Sequence, residues 1–185
     1  MGRVMQSPPP NVDLPILYGK SRAWFAAFPT PLPSVEMMMP DRELRPIQLW
    51  PGAGSIVVAV FDYQDTSIGS YFEVAIGTPC RYRGTTAIPL LPLLAKRWLD
   101  DVGIWIETLP VTTELANDAG RSIWGYPKYV ADIAIEAGDS RMTCKVSEGG
   151  KTALTIEIER PGPSRTLRFP TRTYSKRDDE LLRTD

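Results

Sequence analysis

The chain has 185 residues, 43% of them hydrophobic, and a formal net charge of −1 from 21 basic and 22 acidic side chains. That length supports one domain with a sizeable core, and the charge balance leaves no electrostatic footprint for nucleic acid or an anionic membrane surface. Histidine is absent, which removes Ser-His-Asp and Cys-His nucleophiles, imidazole bases and His-ligated metal sites. Catalysis, if any, falls to Lys, Asp, Glu, Tyr, Arg or a bound cofactor.

Residues 1–13 read as a flexible, proline-rich arm. Met1 to Leu14 lacks the apolar core of a signal peptide, and no apolar run reaches the ~20 residues that span a bilayer. A cytoplasmic protein is therefore expected. The 18 prolines are about twice the ordinary share of ~5%. Because they break helices and favour strand edges and turns, a mainly β domain with long connections is expected over 14–171. Ser55–Phe61 is a short, nearly continuous apolar run, as in a strand covered on both sides. Tyr71–Ile76 and Val102–Leu109 read as further strands, and Leu90–Leu99 as a helix candidate limited by Pro92. Thr113–Gly120 reads as a short helix, capped by Thr112 or Thr113, with Glu114 at its positive end and Gly120 as its stop. Tyr129–Glu136, Arg141–Val146 and Thr152–Glu159 form a meander whose links, Ala137-Gly138-Asp139 and Glu148-Gly149-Gly150, carry turn residues. In its last strand Leu154, Ile156 and Ile158 alternate with Thr155, Glu157 and Glu159, so aliphatics and carboxylates take opposite faces. Residues 172–185 form a charged C-terminal segment around Lys176-Arg177-Asp178-Asp179-Glu180. It reads as a solvated tail or, because Leu181-Leu182 ends a disordered arm poorly, as part of an ordered element.

Cys80 and Cys144 form no metal-type pair and read as free thiols. The sequence shows no Gly-rich phosphate loop and no dinucleotide fingerprint, so neither a metal nor a cofactor is expected. The chemically distinctive segment is Gly120-Arg121-Ser122-Ile123-Trp124-Gly125-Tyr126-Pro127-Lys128-Tyr129-Val130-Ala131. From Ser122 to Ala131 its only charged side chain is Lys128. Apolar surroundings disfavour a charged lysine, and the neutral amine is the form that condenses with a ketone or aldehyde. An ordinary lysine, with a pKa of about 10.4, offers that form in about one molecule in 10³ at pH 7. Burial among Trp124, Tyr126, Tyr129 and Val130 is expected to supply the activation. The plain alternative is a surface lysine whose stem covers apolar side chains.

The string Glu114-x5-Gly120-Arg121-x3-Gly125-Tyr126-Pro127-Lys128 resembles the acetoacetate decarboxylase superfamily, with a second match in Asp65-Thr66-Ser67-x-Gly69-x-Tyr71-x-Glu73 and a weaker one at Arg22. The resemblance covers about Tyr18 to Ala131. It implies a β-barrel with a few short helices, a homo-oligomer, and Lys128 as the Schiff-base nucleophile with Glu73 as an active-site carboxylate. Arg22 and Arg121 are the candidate partners of a substrate carboxylate, since guanidinium matches its two oxygens; Arg121 at a helix end can instead bond the last carbonyls. Three departures stand out. Tyr129 occupies the place of a second lysine, Ala59 that of a second glutamate, and family members generally run longer, so the chain reads as short or truncated at its C-terminal side. The implied activity is cofactor-independent decarboxylation of a small β-keto acid through a lysine imine. The alternatives are an aldolase, dehydratase or cyclase using the same imine on an α-keto acid, and a non-catalytic barrel that binds a small acid.

Overall fold

The computed structural model describes residues 9, 11–40, 42–83, 102–159 and 172–185. The helix expected over Leu90–Leu99 lies outside them. In chain order the elements are β1 (Tyr18–Pro31), α1 (Leu32–Met37), β2 (Leu44–Pro46), β3 (Ala53–Thr66), β4 (Tyr71–Tyr82), β5 (Val102–Val111), α2 (Glu114–Trp124), β6 (Lys128–Val130), β7 (Asp132–Ala137), β8 (Arg141–Glu148), β9 (Lys151–Glu159), β10 (Thr173–Arg177) and β11 (Glu180–Thr184).

The protein is mainly β, as expected, but the described strands do not close a barrel. They form an eight-stranded sheet, ordered β1-β3-β4-β5-β10-β11 with β2 on β4 and β6 on β5, and a three-stranded sheet β7-β8-β9. No ladder joins the outer strands β1 and β11 among the described residues. β1 was not evident from sequence. Its Pro29 and Pro31 pair opposite Ser55 and Ala53 of β3, and an edge strand tolerates prolines because the missing N–H faces away from the ladder.

Alternation along the large sheet divides its residues between two environments. Val58, Val60 and Val74, on one face, pack against Ile133, Met142, Cys144, Val146 and Ile156 of the small sheet. Trp24, Phe72, Ile76 and Leu154 join that core from its margin. The opposite face, carrying Val57, Ala59 and Phe61 of β3, lines a cavity. This explains why Ile56–Phe61 is apolar throughout: one face meets the inter-sheet core and the other an apolar cavity. Cys80 and Cys144 are buried and free.

The meander folds largely as expected. Gly149 and Gly150 both have positive φ, 55° and 76°, and sit between the paired Glu148 and Lys151, the geometry of a two-residue hairpin turn. The strand expected over Tyr129–Glu136 is instead two strands in two sheets. β6 runs parallel to β5, β7 antiparallel to β8, and the chain changes sheets at Ala131. The C-terminal segment is not a solvated tail. β10 and β11 form a hairpin whose Asp178 and Asp179 take positive φ at the turn, while Tyr174, Leu181 and Leu182 are buried. The conspicuous run of charges is thus the turn and its flanks. Val12, within the stretch expected to be a flexible arm, is also buried, against Ala119 and Ile123 of α2.

Candidate active site

Helix α2 and the turn after it place Lys128. Thr113 caps the helix, its hydroxyl accepting from the Ala116 N–H. Gly120 does not stop the helix, as the sequence suggested; the stop is Gly125, at φ 64°. Its N–H donates to the Arg121 carbonyl, the 5→1 bond of an αL ending, which favours a left-handed glycine, and the Tyr126 N–H donates to the Gly120 carbonyl. Pro127 then turns the chain into β6, where Lys128 lies opposite Leu109 of β5.

Gly120 serves the lysine. A Cβ added there would lie 2.3 Å from Lys128 Cδ and 2.4 Å from Cε. The lysine stem therefore crosses the helix where a side chain is missing. Lys128 is only 5% exposed and Glu73 only 7%, and Nζ donates to Glu73 Oε2 at 2.6 Å. One proton moved along that bond converts the ammonium–carboxylate pair into an amine and a carboxylic acid. Nζ also lies 5.7 Å from the centroid of the Tyr71 ring, within cation–π reach. The burial differs in detail from the expected apolar wrapping. Trp124 and Tyr126 line the cavity, but Tyr129 turns to the core between the sheets and Val130 is exposed.

The cavity has a volume of about 820 Å³. Its floor is the second face of the large sheet: Glu73, Ala75 and Gly77 follow one another on β4 beside Phe61, Ala59 and Val57 on β3. Ile104, Ile106 and Leu109 come from β5, and Thr173 and Thr184 from the C-terminal hairpin. Near the lysine the sequence reading missed a tyrosine cluster. Tyr63 lies 4.7 Å from Tyr71 and 5.0 Å from Tyr18, ring to ring, and the Tyr18 and Tyr71 hydroxyls are 3.4 Å apart. Burial first, and then the Glu73 charge, pushes the Tyr63 and Tyr71 phenols up. Burial also raises Tyr126, against hydrogen bonds to Thr173 and Thr184 that pull it down. These hydroxyls therefore stay protonated at neutral pH. The signal was present: Phe61 and Tyr63 share strand parity, as do Tyr71 and Glu73, but only the register shows that they meet.

The two arginines fall elsewhere. Arg121 donates through Nη1 to the Lys128 carbonyl at 2.9 Å, so it fixes the lysine's backbone. Arg22 shares parity with Trp24, which packs toward the inter-sheet core, whereas Phe25 faces the cavity. It lies exposed on β1 opposite Asp62. Neither lines the cavity. No group of three or more His, Cys, Asp or Glu capable of holding a metal occurs among the described residues, and no helix among them is long and apolar enough to cross a membrane.

The family model for acetoacetate decarboxylase matches residues 5–173. The chain belongs to the acetoacetate decarboxylase family. Solved structures agree on the fold. An acetoacetate decarboxylase from Legionella pneumophila superposes with a TM-score of 0.67 at 15% identity, over 95% of this chain and 62% of the other. A second acetoacetate decarboxylase structure gives 0.70 at 14%, over 94% and 70%. The enduracididine biosynthesis enzyme MppR, solved with pyruvate, gives 0.58 at 14%, over 95% and 72%. The chain thus spans less than two thirds of the Legionella enzyme's length. No curated protein matches it in sequence.

Proposed function

We propose that this family member is an imine-forming enzyme that decarboxylates a β-keto acid without a cofactor. The observation that supports it is the buried Lys128 Nζ, 2.6 Å from Glu73 Oε2 at the wall of an apolar cavity. The neutral amine adds to the ketone, and Glu73 passes the protons that let the hydroxyl leave as water. The resulting iminium draws the electron pair of the bond between the α-carbon and the carboxylate, so that CO₂ departs and an enamine remains. A proton returns to the α-carbon, and water hydrolyses the imine to ketone and free amine. The walls favour this direction. Lys128 is the only cation among the described lining residues, so a substrate carboxylate there lacks a guanidinium partner. Burying such a charge is costly, and its loss as neutral CO₂ removes the cost.

A second reading keeps the imine and changes the outcome, to aldol addition or dehydration on an α-keto acid. Two observations favour it. Tyr129 stands where the decarboxylase has a second lysine and faces the core, and MppR, a fold neighbour, is solved with pyruvate. Incubation with acetoacetate or pyruvate and cyanoborohydride, followed by mass measurement, tests the imine: an adduct on Lys128 is expected, and none in Lys128→Ala. If no keto acid gives an adduct, the domain would be a binding module for a small acid. CO₂ release from acetoacetate then separates the reactions, since trapping without CO₂ would leave the aldol-type reading.

A further inference from the structure

The lysine and glutamate occupy one end of a much larger space. At roughly 30 Å³ for a water-sized group, the cavity of about 820 Å³ far exceeds what the seven heavy atoms of acetoacetate need. Its shape follows from the sheet register. Phe61 pairs with Glu73, Ala59 with Ala75, and Val57 with Gly77. Moving away from the reacting end, therefore, a large residue and the carboxylate give way to two alanines side by side, then to Val57 and a glycine. Each step of two residues advances about 7 Å along a strand. The result is a trough about 13 Å long, floored by small side chains and flanked by Phe25 on β1 and by Ile106 and Leu109 on β5. At the cavity's margin Leu14, Tyr18 and Phe25 are 42%, 47% and 49% exposed, so apolar surface continues outward.

Nothing in small keto-acid chemistry requires this trough. We infer that the substrate is a keto acid bearing an extended apolar tail, seated along Ala59 and Ala75 while its ketone meets Lys128. The inference rests on the imine reading of the same site. A strand advances three backbone bonds per residue, so a tail of about six to ten carbons laid alongside reaches from Glu73 toward Gly77. Ala59 and Ala75 set the tail's length, because any larger side chain at either position rises into its path.

The test is a length series read at the lysine. The keto-acid concentration that gives half-maximal cyanoborohydride trapping on Lys128 is measured for acetoacetate, 3-oxohexanoate and 3-oxodecanoate. Burial of each methylene is worth about fourfold in affinity, and after the cost of ordering the tail 3-oxodecanoate should trap at a concentration at least about 100-fold lower than acetoacetate. In Ala75→Leu and Ala59→Leu that ratio should collapse toward one. A flat series with efficient trapping of acetoacetate would overturn the tail and leave the imine standing. No trapping at any length would overturn the imine reading and the tail with it. A steep series that neither substitution alters would overturn the seat assigned to Ala59 and Ala75.

Discussion

The two faces of the large sheet are built from the same strands and much the same residue classes, yet they do opposite work. On the packed face Val58, Val60 and Val74 meet a second sheet and leave no room. On the other, Ala59, Ala75 and Gly77 stop short of filling the space and leave a cavity. Consecutive residues of one strand therefore face the core and the cavity in turn. The cavity comes from under-filling one face while the other face packs against the small sheet.

That contrast is open to direct attack. The largest expected effect is on the packed side: Met142→Ala, at a site with no exposure, should cost about 2–5 kcal/mol in a urea titration. Ala75→Leu, one residue from the packed Val74 but facing the cavity, should cost less than about 1 kcal/mol, because the added methyls enter free space. Equal costs would erase the distinction. Gly120→Ala separates fold from site at a single atom. Helix propensity gains about 1 kcal/mol, but the new Cβ occupies the path of the Lys128 stem, so trapping should fall more than about tenfold while stability barely moves. Glu73→Gln should slow turnover by about 10²-fold or more, the ordinary loss of a general acid–base, while an adduct still forms on Lys128; loss of both together would make Glu73 a support of the lysine.

A separate effect concerns pH. Burial holds the Cys80 thiol up to about 12 and the Cys144 thiol up to about 11, from an ordinary 9.0. The folded protein keeps these protons where the unfolded chain sheds them. Their contribution is thus complete below about pH 9 and is lost as pH rises through 11 to 12. The urea midpoint should fall between pH 8 and 10.5, and Cys80→Ala should reduce that fall.

Legibility followed the same divide. The runs of β3, β4 and β5 could be read because apolar residues dominate them, and the meander because its last strand alternates and its links carry turn residues. β1 could not, since Pro29, Pro31 and its small residues look like a loop until an edge position excuses them. The C-terminal hairpin was half legible: Leu181-Leu182, now buried, pointed to an ordered element, but the charges clustered at the Asp178-Asp179 turn looked like a solvated tail. Lys128 and Glu73 were visible through residue type and family resemblance. The tyrosine cluster was not, because strand register brings Tyr63 onto Tyr71. Arg22 was misplaced for a related reason: guanidinium chemistry alone does not say which face of β1 is inward. For Arg121 a carbonyl partner was among the readings, but the carbonyl it reaches is that of Lys128 rather than one at the helix end.

The parallel pairing of β10 with β5 also bears on how the molecule is made. Thr173 and Thr184 complete the cavity wall beside Ile104, yet they are synthesised long after β3, β4 and β5. Domains emerge from the ribosome N-terminal part first, and contacts between distant segments form slowly. During synthesis the nascent chain therefore presents the edge of β5 at Ile104 and Trp105 without the strand that pairs with it. Until the β10–β11 hairpin docks, that unpaired edge is a template on which another strand can add.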